Sequence, residues 1–365
     1  MEARADKNQH REGPRMSHTS DKGGRKGGPV AIGQIIGKEF LESARAQAGL
    51  ELTAAPPAPR AKPPRRKAGT ALTADERRII EAGARIATER PSGEDMAFTH
   101  TVLCQVGLPR AAVEGDRFMR RCGEMWLHVQ AGVLDEGNGP IDQPVPYGVM
   151  PRLALAWVST YAKRNKTREV PIGDSAAQFL RNLNIESTGA RYKILRTQMH
   201  ALAACRLQLG YRGRTFNGQP VEQFDAWVSN RDTSQRALWP GVMVLSEGYF
   251  RELMDSGVPL DNRALMALRG SALALDVYAW LAHRLHRIEG RPVILHWKSL
   301  REQFAQEYRG KDPDKDFKKQ FVPQLAKVLT VYPQAKVKQV TGGLMLMASP
   351  PPIPFKAPPL KIIGG

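Results

Sequence analysis

Lysine and arginine are the residues of this sequence whose clustering most clearly suggests a chemical role. Residues 150–216 contain 12 Lys and Arg against 3 Asp and Glu, and residues 308–340 contain 8 against 3. The whole chain of 365 residues carries a formal net charge of +18. Cations at this density bind phosphates, which predicts a polyanionic partner such as double-stranded DNA. The alternative is two charged surfaces that only keep the protein soluble.

The first basic cluster contains a helix, predicted from Ala190 to about Leu207, that could read DNA bases. Arg196 and His200 are four residues apart and so share one face. Arg196 is the best candidate for a bidentate contact to guanine, and His200 is predicted to be a polar surface residue. The other predicted DNA contacts of this cluster are Lys163, Arg164, Lys166, Arg168, Thr188, Arg191, Lys193, Thr197, Arg212 and Arg214.

The second basic cluster contains a helix predicted from about Asp314 to Tyr332. Gln320 and Gln324 could read adenine, whose N6 and N7 match a glutamine amide. Taken one at a time, any of these residues could be ordinary surface polarity. The remaining predicted DNA contacts of this cluster are Lys315, Lys318, Lys319, Lys327, Lys336 and Lys338.

Residue patterns typical of catalysis or metal binding do not stand out. His283 and His286 lie three apart without a well-placed carboxylate, and both are predicted to be surface residues. The segment 33–39 resembles a phosphate-binding loop, but it is one residue short and has Glu39 in place of the magnesium-binding hydroxyl. We therefore predict that the protein is not an enzyme and uses no metal and no cofactor.

The cysteine content and the hydropathy predict a cytoplasmic protein. Cys104, Cys122 and Cys205 are odd in number and far apart, which argues against a disulfide framework. No apolar run approaches the ~18–20 residues of a membrane helix, so no membrane partner is expected.

Two stretches of the chain share one predicted order of elements: helix, strand, helix, turn, helix and hairpin. In the first stretch these are helix 151–164, strand 169–172, a helix capped by Asp174 and reaching 184, helix 190–207, and a strand and wing at 208–216. In the second they are helix 272–288, strand 292–296, helix 298–308, helix 314–332 interrupted by Pro323, and a hairpin of 336–340 with 344–348. This is the order of a winged helix, whose third helix enters the major groove.

The predicted fold class is α+β and helix-rich, with two tandem winged-helix domains after a disordered basic N-terminal tail. Thr73 and Glu76 form a capping-box pattern at the start of a helix, and the alternation over 117–131 predicts a hairpin. The predicted divisions are a Pro/Gly-rich tail (1–72), a helix and hairpin that could dimerise the protein (73–146), the first winged-helix domain (147–246), the second (247–350) and a Pro-rich tail (351–365). Two recognition helices would cover ~20 bp of DNA.

Three segments resemble the RepA-type replication initiators of bacterial plasmids, which use tandem winged helices. They are Pro146–Arg152 running into Leu155–Val158, Ser187–Ala190, and Val258–Leu265 followed by Leu273–Leu281. The resemblance covers roughly residues 100–355. It implies a protein that binds direct repeats in a plasmid origin, helps to open the DNA and recruits the host helicase machinery and host initiator. It also implies dimerisation and repression of the initiator's own gene in many members.

Two other functions remain open at this point. A winged-helix transcriptional repressor would be built from the same parts, and the sequence does not separate it from an initiator. An interaction scaffold would use the winged helices for protein partners and the basic tail for nonspecific RNA or DNA. Sequence-specific DNA binding at moderate salt would distinguish either DNA binder from the scaffold.

Overall fold

Helix α1 (Ala74–Thr88) begins where its first turn is capped by side chains. Thr73 Oγ1 accepts a hydrogen bond from the Glu76 N–H, and the Glu76 carboxylate accepts one from the Thr73 N–H. The predicted capping box is thus confirmed. The computed structural model describes residues 72–136, 139–173, 175–186, 188–211, 214–225, 241–307 and 310–354. Both predicted tails fall almost wholly outside these ranges.

The segment after α1 is built from short strands. They are β1 (Met96–Thr99), β2 (Arg117–Cys122), β3 (Met125–Gln130), β4 (Val133–Asp135) and β5 (Pro140–Asp142). Strands β2 and β3 pair from Arg117–Gln130 to Cys122–Met125, which confirms the predicted hairpin. The pairing of β4 with β5 was not predicted.

The first unit, residues 149–245, follows the predicted order of elements and adds two further strands at its end. Its elements are α2 (Val149–Asn165), β6 (Glu169–Pro171), α3 (Ala176–Asn182), α4 (Gly189–Ala204), β7 (Arg206–Tyr211), β8 (Arg214–Gly218), β9 (Val221–Phe224) and β10 (Val242–Leu245). The hydroxyl of Ser175 accepts the Gln178 N–H at 3.2 Å, so Ser175 caps α3 in place of the predicted Asp174. Strand β10 lies between β6 and β9 and is antiparallel to both.

Three short elements lead from the first unit to the second. They are α5 (Glu247–Ser256), β11 (Val258–Asp261) and α6 (Asn262–Ala267). Strand β11 pairs with β1, so the connection is anchored to the N-terminal segment.

The second unit, residues 272–346, repeats the arrangement of the first. Its elements are α7 (Ala272–Arg284), β12 (Val293–His296), α8 (Trp297–Phe304), α9 (Pro313–Val331), β13 (Val337–Val340) and β14 (Gly343–Leu346). Strand β14 lies between β12 and β13. Gly342 turns the chain between β13 and β14 with φ of +81°, a conformation that suits glycine. Each predicted element of this stretch is present within a few residues, and α9 continues through Pro323.

The strand and hairpin predicted at 208–216 are present as β7 paired with β8, but this hairpin does not join β6. Strand β7 pairs with β3 on one side and β8 on the other, so β2, β3, β7 and β8 form one four-stranded antiparallel sheet. The strands that take the place of β13 and β14 in the first unit are β9 and β10. The physical reason is that β3 has a buried face, and β7 places Leu207 and Leu209 opposite Val129 and Leu127.

A buried ion pair joins the two units. Arg152 on α2 donates from Nε and Nη2 to the two carboxylate oxygens of Asp276 on α7, at 2.6 and 2.8 Å. The side chains are 9% and 8% exposed, and Arg152 also donates to the carbonyls of Leu108 and Pro109. A bidentate pair fixed at both ends holds the two units in one relative orientation. The predicted domain boundary at 246–247 stays a prediction.

Candidate nucleic-acid interface

Helix α4 is the third helix of the first unit, and its buried side follows the helical period. Leu195, Met199 and Leu202 are fully buried in the core. Thr188 caps the helix by accepting the Arg191 N–H at 3.4 Å. Because the core residues occupy one side, the first half of the helix presents its other side to solvent. The exposed side chains there are Arg191, Lys193, Ile194 and Thr197, and we call residues 189–197 the open half of α4.

The second half of α4 is covered by the segment that contains β4 and β5. Glu136 Oε2 accepts from Arg196 Nη2 at 3.1 Å, and its Oε1 lies 2.9 Å from His200 Nδ1 and accepts from Gln143 Nε2 at 2.9 Å. His200 is 1% exposed, so the prediction that it is a surface residue is wrong. Arg196 was predicted to reach guanine, but its guanidinium is held by Glu136. Gly132 allows this segment to pass close to the end of α4. A Cβ at that position would lie 2.1 Å from the Ala204 carbonyl oxygen.

The titration of this cluster follows from its burial. Burial lowers the pKa of His200 and outweighs the hydrogen bond that His200 donates to Glu136, so His200 is neutral at pH 7. Burial raises the pKa of Glu136, but the hydrogen bonds from His200 and Gln143 and the charge of Arg196 outweigh it, and the net pKa is lowered. The cluster is therefore an ionised carboxylate that accepts three hydrogen bonds.

The basic run at the end of α2 mainly ties the helix to its neighbours. Lys163 Nζ donates to the carbonyls of Leu253 and Met254 at 2.8 Å, and burial lowers the Lys163 pKa. Arg164 donates to the carbonyls of Gly93 and Met96, and Arg168 pairs with Glu222 at 2.7 Å.

Lys166 is exposed, as Arg164 is, and adopts the left-handed conformation that ends α2. The prediction that the run lies along a phosphate backbone stays a prediction.

Helix α9 is the third helix of the second unit and is organised in the same way. Phe317, Phe321, Leu325 and Val328 are buried, and Asp312 caps the helix by accepting the Lys315 N–H at 3.1 Å. The exposed polar side chains of this part of the helix are Lys315, Asp316, Lys319 and Gln320, and we call residues 313–320 the open half of α9.

The other predicted residues of α9 are half-buried. Lys318 lies with its ammonium 5.2 Å from the centre of the Trp297 ring. Gln324 is half-buried, so it does not extend the exposed surface of Gln320 as predicted. Lys327 pairs with Asp75 on α1 at 3.1 Å.

The predicted wing residues divide between the two units. Lys336 and Lys338 are exposed, Lys338 on β13 and Lys336 just before it. Arg212 lies outside the described residues, and Arg214 belongs to β8, in the sheet shared with β2 and β3.

Two further arginines were not singled out by the sequence analysis. Arg78 pairs with Asp75, which also pairs with Lys327 of α9. Arg269 donates to the Met266 carbonyl, and its pKa is lowered by burial and then by the charges of Arg78 and Arg191. No local sequence signal marks the contact of Asp75 with Lys327, because the two residues are 252 positions apart.

In the described part of the chain, His283 and His286 do not form a metal site. His283 is buried and lies against Arg287, and His286 Nδ1 lies 2.9 Å from the Ala282 carbonyl oxygen. The prediction of a surface position is therefore wrong for His283. Among the described residues, no group of three or more His, Cys, Asp or Glu could hold a metal ion. None of the helices in the described ranges could cross a membrane.

One family model matches the middle of the chain. Residues 145–298, less than half of the chain, are similar to the family described as plasmid encoded RepA protein. The resemblance to RepA-type plasmid replication initiators is thereby confirmed, and the match runs from just before α2 through β12 and the first residues of α8.

The structural comparison finds a more distant likeness. A crystal structure of selenomethionine derivatives of domains 2 and 3 of RctB aligns with a TM-score of 0.42 and 11% identity, over 68% of this chain and 96% of that one. A second structure of RctB domains 2–3 aligns with a TM-score of 0.39 and 11% identity, over 67% and 93%. The comparison with curated proteins gives no match.

Proposed function

We propose that this protein is a sequence-specific DNA-binding initiator of plasmid replication, with two winged-helix units that each place their third helix in a major groove. In this proposal α4 and α9 are the recognition helices, and their open halves contact the DNA. Recognition helices of this type contact base edges through their N-terminal residues. The wings would be β9–β10 in the first unit and β13–β14 in the second.

One observation carries this proposal. The open halves of α4 and α9 expose lysine and arginine side chains and occupy the same place in two units of the same topology. A surface charged only for solubility has no reason to repeat at one position of two units. A phosphate backbone that runs past two recognition helices does provide one.

The residues divide into base contacts and phosphate contacts. Thr197 and Gln320 are exposed beyond the second turns of their helices, where they could reach base edges. Thr188, Arg191, Lys193, Lys315 and Lys319 lie nearer the helix starts and suit phosphates, as do Lys166, Lys336 and Lys338. Arg196 and His200 would contribute to positioning through Glu136 and would not touch DNA.

The contact between the units supports a fixed spacing between the two recognition helices. The buried Arg152–Asp276 pair joins α2 of the first unit to α7 of the second. We expect protection of two successive major-groove faces, ~20 bp in all.

A nuclease footprint on the replicon that encodes the protein tests the proposal. We expect direct repeats of ~20 bp to be protected, with an affinity that falls steeply as salt rises. Protection of one inverted repeat over a promoter would instead identify a dedicated transcriptional repressor. Binding without sequence preference would contradict specific recognition.

The remaining steps of initiation also belong to the proposal. The bound protein would help to open the origin and recruit the host initiator and helicase machinery, in the cytoplasm and without catalysis, metal or cofactor of its own. A homodimer that represses the initiator's own gene is compatible with this role. Loading of the host helicase on origin DNA, with and without the protein, would test recruitment directly.

A further inference from the structure

An isoleucine occupies the middle of the open half of α4. The Ile194 side chain is 52% exposed, although its neighbour Leu195 is completely buried. Ala190 and Thr197 are also exposed and lie four residues before and three residues after Ile194. Residues at this spacing share one helix face, so three methyl-bearing side chains form a stripe along α4.

The core gives no reason for an isoleucine at this position. Leu195, Met199 and Leu202 already fill the buried face of α4, and all three are inaccessible to solvent. The segment around β4 and β5 covers the face of Arg196 and His200, yet it leaves Ile194 half exposed. A side chain of this size loses free energy in water unless a partner covers it.

The surroundings of the stripe indicate the chemistry of that partner. Arg191 and Lys193 flank Ile194 and are exposed. The partner must therefore combine negative charge with a small apolar group within reach of a helix. The major groove of duplex DNA meets both conditions, because the C5 methyl of thymine is its only apolar group and phosphates line its edges.

The second unit lacks this feature. In the open half of α9 the exposed residues beyond the cap are Lys315, Asp316, Lys319 and Gln320, with no large apolar side chain among them. The methyl stripe therefore belongs to the first recognition helix alone.

We infer that Ile194 is a specificity-determining residue that packs on the C5 methyl of a thymine in the site bound by α4, with Ala190 and Thr197 extending the contact. This inference rests on the proposed function. It adds a preference for thymine at one or two positions of the first half-site, and it predicts discrimination by apolar contact without a hydrogen bond.

Replacement of thymine by deoxyuridine tests this inference, because it removes the methyl and keeps every base-pairing group. A binding site is first selected by the full-length protein from a random duplex library. Each thymine of that site is then replaced in turn. We expect one or two positions at which the wild-type protein loses affinity about fourfold, the effect of exposing one methyl group.

The variant Ile194→Ala identifies the partner of that methyl. We expect the variant to bind the thymine and deoxyuridine forms of the sensitive position equally. Ile294→Ala is the matched control, because Ile294 is 43% exposed on β12 and should keep the wild-type discrimination. Thermal unfolding checks that both variants remain folded.

Three results would overturn the inference. One is that no thymine is sensitive, and another is that Ile194→Ala retains the wild-type sensitivity. In the third, sedimentation velocity shows that Ile194→Ala changes the oligomeric state and leaves thymine discrimination intact, which would make the stripe a protein contact. A library that yields no preferred sequence would instead contradict the proposed function itself.

Discussion

The third helices of the two units share a plan and differ in how firmly their second halves are held. In the first unit Glu136 accepts hydrogen bonds from Arg196, His200 and Gln143, and His200 is buried. In the second unit Asp75 holds Lys327 at 3.1 Å, with both side chains about one-third exposed. In each case an acidic residue from the N-terminal segment occupies the second half of the helix and leaves the first half open. The N-terminal segment therefore sets which turns of each helix are available to a ligand.

The open halves also differ in composition. The open half of α4 combines two cations with Ile194, whereas the exposed side chains in the open half of α9 are almost all charged or polar. We therefore expect the first unit to contribute more of the base discrimination and the second unit to contribute mostly phosphate affinity.

The largest expected effect on stability comes from removing the ion pair that joins the units. Asp276→Ala leaves the buried guanidinium of Arg152 without its carboxylate and should cost about 3–5 kcal/mol of unfolding free energy. Urea denaturation measures this cost. Arg85→Ala, which breaks the exposed Arg85–Glu89 pair, is the control and should change the unfolding free energy far less. A small effect of Asp276→Ala would show that the units do not depend on this pair.

The two acidic contacts should differ in strength. Glu136→Ala removes the acceptor of buried partners and should cost about 1–3 kcal/mol. Asp75→Ala breaks ion pairs that are partly exposed and should cost less than about 1 kcal/mol. Urea denaturation of both variants tests this comparison, and equal costs would remove the distinction between the units.

The cations of the open halves should act mainly on DNA affinity. Removing two phosphate contacts, by Arg191→Ala with Lys193→Ala or by Lys315→Ala with Lys319→Ala, should lower the slope of log affinity against log salt by about 2. Filter binding across a salt series measures the slope. Arg196→Ala is the matched control, since its guanidinium is held by Glu136, and it should leave the slope unchanged. A lower slope for Arg196→Ala would mean that the Glu136 contact opens on DNA.

Acidification should weaken the Glu136–His200 contact of the first unit before the Asp75–Lys327 contact of the second. The pKa of folded His200 is lowered by burial, so its stabilising contribution is complete above the unfolded value of 6.5 and is lost as pH falls toward the folded pKa. The pKa of Asp75 is also lowered: burial opposes this, and the hydrogen bond and charge of Lys327 and the charge of Arg78 outweigh it. Its contribution is lost only below about 3.8.

Unfolding free energies measured at pH 7 and pH 5.5 test whether the His200 contribution is lost before that of Asp75. His200→Gln should reduce the difference between the two pH values, whereas Asp75→Asn should leave it as in the wild type. An unchanged pH dependence in His200→Gln would show that other groups control this range.

The sequence predicts most helices and strands because their signals are local. The stripe of Leu195, Met199 and Leu202 and that of Phe317, Phe321 and Leu325 each follow the helical period, and Thr73 with Glu76 identifies a helix start from two residue types. The hairpin predicted at 208–216 is present as β7 and β8, but the sequence did not show which sheet it joins. Which pair of strands joins β6 depends on the pairing of β7 with β3, and β3 is far from β7 in the sequence.

The candidate site was less predictable than the fold. Periodicity separates buried from exposed faces, but it does not show which exposed cations a distant acid will hold. Glu136 is 60 residues from Arg196, and Asp75 is 252 residues from Lys327. Ile194 was overlooked because its residue type suggests a core position, while its helical position next to Leu195 puts it outside.

A hydroxyl-radical footprint of the wild type and the two double variants on a selected site tests the central claim most directly. We predict two protected patches about one helical turn apart, ~10 bp. The pair Arg191→Ala and Lys193→Ala should weaken one patch, and the pair Lys315→Ala and Lys319→Ala should weaken the other. A single patch, or loss of the same patch in both double variants, would contradict two recognition helices acting side by side on DNA.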